Sequence, residues 1–431
     1  MLLRLATPLY LARLWWRGRR EPLYRHAGCE RLGFAATAAA PATAAATTST
    51  TPVRVWLHAV SLGETLAAGP LIEALRAQHP GLRLLLTHGT ATGRAAGQAL
   101  LRAGDAQAWL PYDTPGAVRR FFKRQQPALG VLMETEVWPN LLHAAQQAGV
   151  PMVLANARLS ARSLAKGLRL RALLQPAVAS FARVLAQTAA DAQRLRQAGA
   201  LTTEVMGNLK FDLNPDARQL AQGRAWRDGL HRPVVLMASS REGEEAPLLA
   251  AWLQLPAPRP LLLLVPRHPQ RFDAVAALVL QAGLQLQRRS GWADAAPADV
   301  PPAAAALADV WLGDSVGEMP LYYALADVAL LGGSFEPLGG HNLIEAAACG
   351  CPLVMGPHTF NFAQAAVGAL AAGAALRADG LATAVQRAQA LLADPALPAW
   401  GARALAFAAQ HRGAAARMAA AVLAQLRPSS N

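Results

Sequence analysis

Carboxylates and cations follow short apolar runs at several points of the chain, and their types suit sugar and phosphate chemistry. Glu64 lies in HAVSLGETLAAGPLIEAL, after the apolar run Val53 to Leu57 and beside Ser61 and Gly63. A carboxylate at the carboxyl end of a strand can take a proton from an acceptor hydroxyl. The plainer alternative is a negative charge steadying the first turn of the following helix, and the segment alone leaves the two readings even. Glu134 and Glu136, in METEVWPN after Ala128 to Met133, put two carboxylates at the rim of the same sheet, or else at a helix entry with Pro139 in an early position. Lys210, in GNLKFD after Thr203 to Met206, is either a cation facing a cleft or an ordinary surface lysine. Arg158 and Arg162 open a basic segment with Lys166, Arg169 and Arg171, which fits a solvated helix face or recognition of a phosphorylated lipid. Arg267 follows the plainest buried run of the chain, Leu261 to Val265, and Pro266; its planar donors match phosphate oxygens.

The stretch Val328 to Pro357, VALLGGSFEPLGGHNLIEAAACGCPLVMGP, reads as strand, glycine-broken loop, helix and strand. Free N–H groups at the start of such a helix favour an anion, commonly a phosphate. The predicted helix begins near His341 to Asn342, so Asn342, Leu343, Ile344 and Glu345 fall in its first turn. A carboxylate at Glu345 can accept hydrogen bonds from vicinal sugar hydroxyls. The bland alternative is a glycine-rich connection capped by Asn342, and two glycine pairs ahead of HNxxE make it the weaker one. Upstream, Val310 and Trp311 precede a loop with Gly317, Glu318 and Met319, whose backbone is placed to read a base edge.

The elements needed to position these residues follow from alternating strand and helix patterns, the signature of an α/β fold. A chain of 431 residues and 45.4 kDa is comfortable for two domains. The expected division is an N-terminal segment over 1–34, an uncharged Ala/Thr/Pro linker over 35–52, one Rossmann-like domain over 53–215 and a second over 216–431, with helices filling the end of the chain. A net charge of +14 calls for an anionic partner. Nucleic acid fits poorly, because no binding motif or aromatic-interleaved basic stripe accompanies the charge. Three cysteines, Cys29, Cys349 and Cys351, without paired or zinc-type spacing argue for reduced thiols and against a metal site. Met1 to Trp16 is apolar apart from Arg4 and Arg13, with Arg17, Arg19, Arg20 and Arg25 behind it. Sixteen helical residues reach roughly 24 Å, short of the ~30 Å hydrocarbon core, so an interfacial helix on an anionic membrane surface is expected rather than a span. The alternative is an amphipathic helix packed on the protein's own body.

Taken together, HAVSLGETLAAGPLI, METEVWPNLL, NARLSARS, GNLKFD, LVPRHPQRF, GDSVGEMPLYYALAD, GGSFEPLGGHNLIEAAA and MGPHTFNF closely resemble the 3-deoxy-D-manno-octulosonic acid (Kdo) transferases of Gram-negative bacteria. The resemblance runs from about Val53 to the C-terminus. It implies a GT-B fold, in which two Rossmann-like domains face a cleft, the first binding the acceptor and the second the nucleotide sugar. It implies inverting transfer of Kdo from CMP-Kdo to the lipid A precursor, lipid IVA, with no cofactor or metal, at the cytoplasmic face of the inner membrane. By motif, Glu64 would accept the proton, Glu134 and Lys210 would stabilise the transition state, and Pro266 with Arg267 would meet CMP. Gly317, Glu318 and Met319, with Asn342 to Glu345, would complete the CMP site, while Ser61, Gly63, Arg158 and Arg162 are the expected acceptor or anion contacts. Two other readings compete: a nucleotide-sugar epimerase of the same fold, and a membrane-surface nucleotide-binding protein without catalysis.

Overall fold

The structure, a computed structural model, describes residues 13–19, 21–35, 53–212, 214–292 and 301–426. Most of the predicted N-terminal helix (1–12) and almost all of the predicted linker (36–52) lie outside these residues. Strands form where the sequence carries unbroken aliphatic runs, because a parallel strand covered by helices on both faces has no side that rewards a polar residue. β4 (Leu129–Met133) and β9 (Leu261–Pro266) are buried along their whole length.

The chain divides into two compact units, one holding residues up to Asp212 and again from Gly413 onward, the other running from Leu213 to Arg412. The boundary thus falls slightly ahead of the expected 215/216, and the end of the chain belongs to the first unit instead of the second. The reason is local. Asp212 accepts the backbone N–H of Gly413 at 2.9 Å and of Ala415 at 2.6 Å, which ties the start of the helix Ala414–Leu423 to the end of the first sheet's chain segment. That helix then buries Ala415, Met418, Ala419 and Val422 in one core cluster with Leu71, Ile72 and Leu75 of the helix Leu62–Gln78.

The first unit contains a seven-stranded parallel sheet in the order β3-β2-β1-β4-β5-β6-β7. Its strands are β1 (Arg54–His58), β2 (Arg83–His88), β3 (Ala106–Trp109), β4, β5 (Met152–Ala157), β6 (Arg183–Ala186) and β7 (Thr203–Val205). Strand order reverses between β1 and β4, whose register pairs Leu57 with Val131 and His58 with Leu132. Side chains of β1 alternate between two cores, Trp56 on one face and Val55 and Leu57 on the other.

The second unit repeats the architecture with the order β10-β11-β9-β8-β12-β13-β14. Here β8 is Val234–Ser240, β10 Leu286–Arg288, β11 Val310–Leu312, β12 Val328–Leu331, β13 Leu353–Met355 and β14 Ala375–Arg377. Its reversal lies between β8 and β12, which pair Leu331 with Ala238. The edge strands β10 and β14 were not expected, and β14 corrects the reading of an all-helical C-terminal stretch. In a sheet of this kind the carboxyl ends of the strands flanking the reversal are where a ligand meets the backbone.

Among the described residues no helix is long and apolar enough to cross a membrane. Residues 13–17 are helical, and Trp15 and Trp16 are exposed while Leu14 is buried against Tyr24 and Trp109. Arg19 and Arg25 lie over the Trp15 ring at 5.7 and 4.6 Å.

Candidate functional site

In the first unit the strand ends at the reversal deliver the residues expected from sequence. Ser61, just beyond β1, is the N-cap of the helix Leu62–Gln78, and its hydroxyl accepts the Glu64 N–H at 3.5 Å. Gly63 stands beside Glu64 in that first turn, with nothing within 4 Å of where a Cβ would be. Glu64 accepts the Val60 N–H at 2.7 Å, so its carboxylate is fixed over the turn leaving β1. These bonds fit the helix-start reading, and they also hold the carboxylate in one place at the strand end. Burial raises its pKa above the usual carboxylate range and Glu134 adds to this, while the Val60 N–H, Lys210 and Arg158 pull it down. A carboxylate held above its ordinary pKa is a stronger base for a hydroxyl proton.

Glu134 is the first residue after β4, with its side chain 4% exposed between two cations. Arg158 Nε donates to one oxygen at 2.8 Å and Lys210 Nζ to the other at 3.1 Å. The residue sits at φ 56°, a left-handed conformation that a Glu rarely adopts. Its neighbour across the sheet, Asn156, is also left-handed at φ 50° and accepts the Leu209 N–H at 3.1 Å, which holds the Leu209–Phe211 turn and with it Lys210. Such strain at adjacent strand ends persists only where surrounding bonds fix it.

Glu136 was read from sequence only as a second carboxylate at the rim. It precedes the helix Pro139–Gln147, and its carboxylate accepts the Trp138 indole N–H at 2.6 Å. Burial chiefly, with Glu64 and Glu134 adding to it against the Trp138 bond, raises its pKa to about 7. The structure thus gathers Glu64, Glu134, Glu136, Arg158 and Lys210 into one electrostatic cluster. Arg162 does not join it, standing exposed on the helix Ala161–Leu168.

In the second unit, Pro266 ends β9 in a buried position and Arg267 follows it, exposed, its N–H donating to Ser240 O at 3.0 Å. The predicted helix of the glycine stretch begins one residue later than expected: Asn342 is its N-cap, accepting the Ile344 N–H at 3.2 Å, and the helix covers Leu343–Ala348. Leu343 and Ile344 are buried, so their side chains cannot meet a ligand, and the Ile344 N–H is already taken by Asn342. Burial raises the pKa of Glu345, and Arg267 and Asn342 oppose it. Glu318 is not free to bind, because its carboxylate accepts Arg289 Nη2 at 2.8 Å and the Tyr322 hydroxyl at 3.1 Å. The loop therefore offers its backbone, turned at Gly317 with φ 89°, ahead of the helix Met319–Leu325.

Two residues of this unit escaped the sequence reading. His341 is held neutral, its pKa lowered to about 4 by burial and by Arg267, Arg241 and His268. Arg267 and Arg241 mark the region as one that attracts an anion. Glu244 is 0% exposed and accepts the N–H groups of Arg241 at 2.8 Å, Gly333 at 2.9 Å and Phe335 at 3.1 Å, so a single carboxylate joins the end of β8 to the glycine loop after β12. Gly332 tolerates no side chain there, since a Cβ would lie 2.3 Å from Ser239 O. A Glu in a turn reads as solvated in sequence, and nothing in its spacing distinguishes it. Among the described residues no group of three or more His, Cys, Asp or Glu side chains is arranged to hold a metal.

Comparison with known proteins bears on what these sites serve. Residues 27–213 match the family described as 3-Deoxy-D-manno-octulosonic-acid transferase (kdotransferase). The 3-deoxy-D-manno-octulosonic acid transferase of Bordetella pertussis is 50% identical over 430 residues, 96% of each chain. That of Haemophilus influenzae is 36% identical over 84% of this chain and 82% of its own. A glycosyltransferase from Rickettsia africae covers 88% of this chain and 100% of its own with a TM-score of 0.55 at 12% identity, a likeness of fold alone. Two parallel seven-stranded sheets with such a neighbour are the GT-B fold expected from sequence. The chain belongs to the 3-deoxy-D-manno-octulosonic acid transferase family, and is a glycosyltransferase.

Proposed function

We propose that the protein transfers Kdo from CMP-Kdo to a hydroxyl of lipid IVA with inversion, at the cytoplasmic face of the inner membrane. The observation that carries this reading is the carboxylate cluster at the β1 and β4 ends, with Glu64 fixed by the Val60 N–H and held above the usual carboxylate range by burial. Glu64 takes the proton of the attacking hydroxyl, which makes the oxygen nucleophilic as the bond to the anomeric carbon forms. Glu134 steadies the electron-deficient sugar, and Lys210 and Arg158 orient its carboxylate. Departure of CMP leaves negative charge on its phosphate, which Arg267 and the N–H groups ahead of the helix Leu343–Ala348 meet where it develops. With those groups supplying the positive charge, the reading invokes no metal. Glu345 accepts from the ribose hydroxyls, and the Gly317–Met319 backbone reads the base. Single displacement by the lipid hydroxyl gives inversion.

The anionic donor and acceptor account for a net charge of +14. The exposed Trp15 and Trp16 beside Arg19 and Arg25 support peripheral contact with a membrane of anionic lipid.

The test supplies CMP-Kdo and lipid IVA to the purified protein while free CMP and lipid mass are followed. Acceptor-dependent release of CMP with a gain of Kdo mass is expected, and its absence would sink the transferase reading. Glu64→Gln should lower turnover by ~10²-fold or more and leave CMP binding intact. Unchanged turnover would return Glu64 to a helix-start role.

A further inference from the structure

An apolar cavity of about 330 Å³ opens in the first unit directly against Glu134 and Arg158. Its walls are Leu164 and Gly167 of the helix Ala161–Leu168, Leu174 and Val178 of the helix Arg171–Ala179, Leu154 of β5, and Leu195. These walls carry aliphatic side chains and no aromatic ring. Gln175 also borders the cavity, but its side-chain oxygen is already taken by Arg171 Nε at 2.7 Å.

The helix Ala161–Leu168 is one-sided in pattern yet contains no buried residue. Leu164 and Leu168, four residues apart, share one face, while Arg162 and Lys166 share the opposite one. An amphipathic helix ordinarily closes its apolar face against a core. Here that face lines an open cavity. Beyond it the apolar surface continues outward over Leu168, Leu170 and Leu173, exposed by 45%, 59% and 57%. Arg169 and Arg171, exposed, alternate in sequence with these leucines, and Arg162 and Lys166 are exposed on the opposite face of the helix Ala161–Leu168.

We propose that this cavity receives one acyl chain of the acceptor lipid. The inference rests on the transferase reading above and deepens it, because the enzyme then recognises the acceptor's hydrocarbon as well as its hydroxyl. The geometry matches an amphiphile at both ends. Its polar head meets Arg158 and Glu134 at the mouth, its chain lies along the aliphatic walls, and its anionic groups find the surrounding cations. The volume is near the lower end of the roughly 300–1,000 Å³ typical of small-molecule pockets, room for a single chain.

Gly167 gives a clean way to fill the cavity. A Cβ added there meets only Leu174 Cδ1, at 3.8 Å, and replacing a helical glycine by leucine favours the helix. The experiment compares unaltered protein with Gly167→Leu, using CMP-Kdo and three acceptors: lipid IVA, analogues with shortened acyl chains, and the phosphorylated glucosamine backbone stripped of its chains. For the unaltered protein kcat/KM should rise with chain length, by at most about fourfold per methylene buried, and then level off when the cavity is full. Gly167→Leu should lose at least ~10-fold on lipid IVA, with CMP affinity and activity on the stripped backbone unchanged. A CMP titration and thermal unfolding of the variant confirm that its fold and donor site are intact. Equal loss on acylated and stripped acceptors, or no loss on either, would overturn the proposal while leaving the transferase reading standing. So would a variant that loses binding to anionic vesicles but keeps full kcat/KM on lipid IVA, since the cavity would then serve bulk membrane lipid. Failure of the unaltered protein to transfer sugar to any acceptor would overturn both readings together.

Discussion

Lys210 Nζ donates to Glu134 Oε1 at 3.1 Å across 76 positions of sequence, and Arg158 Nε holds the other oxygen of the same carboxylate at 2.8 Å. Glu134 is nearly inaccessible, while the side chains of Lys210 and Arg158 are 40% and 58% exposed. Solvent therefore screens the cations more than the acid, and their value lies in orientation and local potential more than in stability.

That potential reaches Glu64, whose raised pKa is lowered in part by Lys210. Removing the cation by Lys210→Met should raise the Glu64 pKa further. A base protonates as pH falls through its pKa, so the acid limb of the kcat/KM profile should move to higher pH in the variant. Turnover at neutral pH should fall by ~10-fold or more through lost transition-state stabilisation. A profile measured from pH 4 to 8 checks both; an acid limb that stays put would detach Lys210 from Glu64.

Glu136 gives a stability prediction with a definite sign. Its pKa is raised to about 7 in the folded protein from an ordinary 4.5, chiefly because burial penalises the charged form. Between those values the folded state holds the proton that the unfolded state has released, so stability falls as pH rises through this window. Glu136→Gln removes the titration and keeps an acceptor for the Trp138 indole. The variant should match the unaltered protein near pH 4 and exceed it near pH 8 by on the order of 2 kcal/mol, a figure reduced for partial solvent access. Denaturant unfolding at the two pH values decides the matter, and a constant difference between them would show that Glu136 titrates normally.

Strand ends were legible in sequence because buried parallel strands are unbroken aliphatic runs, and Glu134 and Arg267 stand directly after two of them, with Glu64 in the turn and first helical residues beyond a third. The edge strands β10 and β14 were not, because Leu-Gln-Arg and Ala-Leu-Arg, only partly buried, lack that signal. The return of Ala414–Leu423 to the first unit was hidden for a different reason. Its alanine-rich pattern resembles that of the helices before it, and only the Asp212 contacts fix where it packs. Glu244 and His341 show the same limit at the site, since a polar residue in a loop gives no sign in sequence that it will be buried.

Glu244 makes that point measurable. Glu244→Ala strips the acceptor from three backbone N–H groups, those of Arg241, Gly333 and Phe335. Unsatisfied buried donors cost about 1–3 kcal/mol each before relaxation. A loss on the order of 4 kcal/mol from the second unit is expected, with CMP affinity falling because the glycine loop is no longer tied to β8. Thermal unfolding and a CMP titration report the two effects; retention of both would make the carboxylate dispensable.

Arg267 is the group whose removal best separates charge from geometry in the second unit. It lowers the pKa of Glu345 against burial, and also lowers that of His341. If Arg267 meets the CMP phosphate as proposed, Arg267→Ala removes a charge-assisted partner, and affinity at neutral pH should drop by roughly 10- to 100-fold. A second change should accompany it. In the proposed site Glu345 would accept from ribose hydroxyls best when ionised, and its pKa should rise once Arg267 is gone. CMP binding should then weaken at a higher pH in the variant than in the unaltered protein as the solution is made more acidic. Arg267→Lys keeps the positive charge but loses the planar pair of donors, so it should restore most of the Glu345 behaviour and only part of the affinity. Calorimetric titration of CMP into all three proteins between pH 5 and 8 tests these expectations. Equal affinities at neutral pH would remove Arg267 from the phosphate site, and a reduced affinity with an unshifted pH dependence would leave it there while uncoupling it from Glu345.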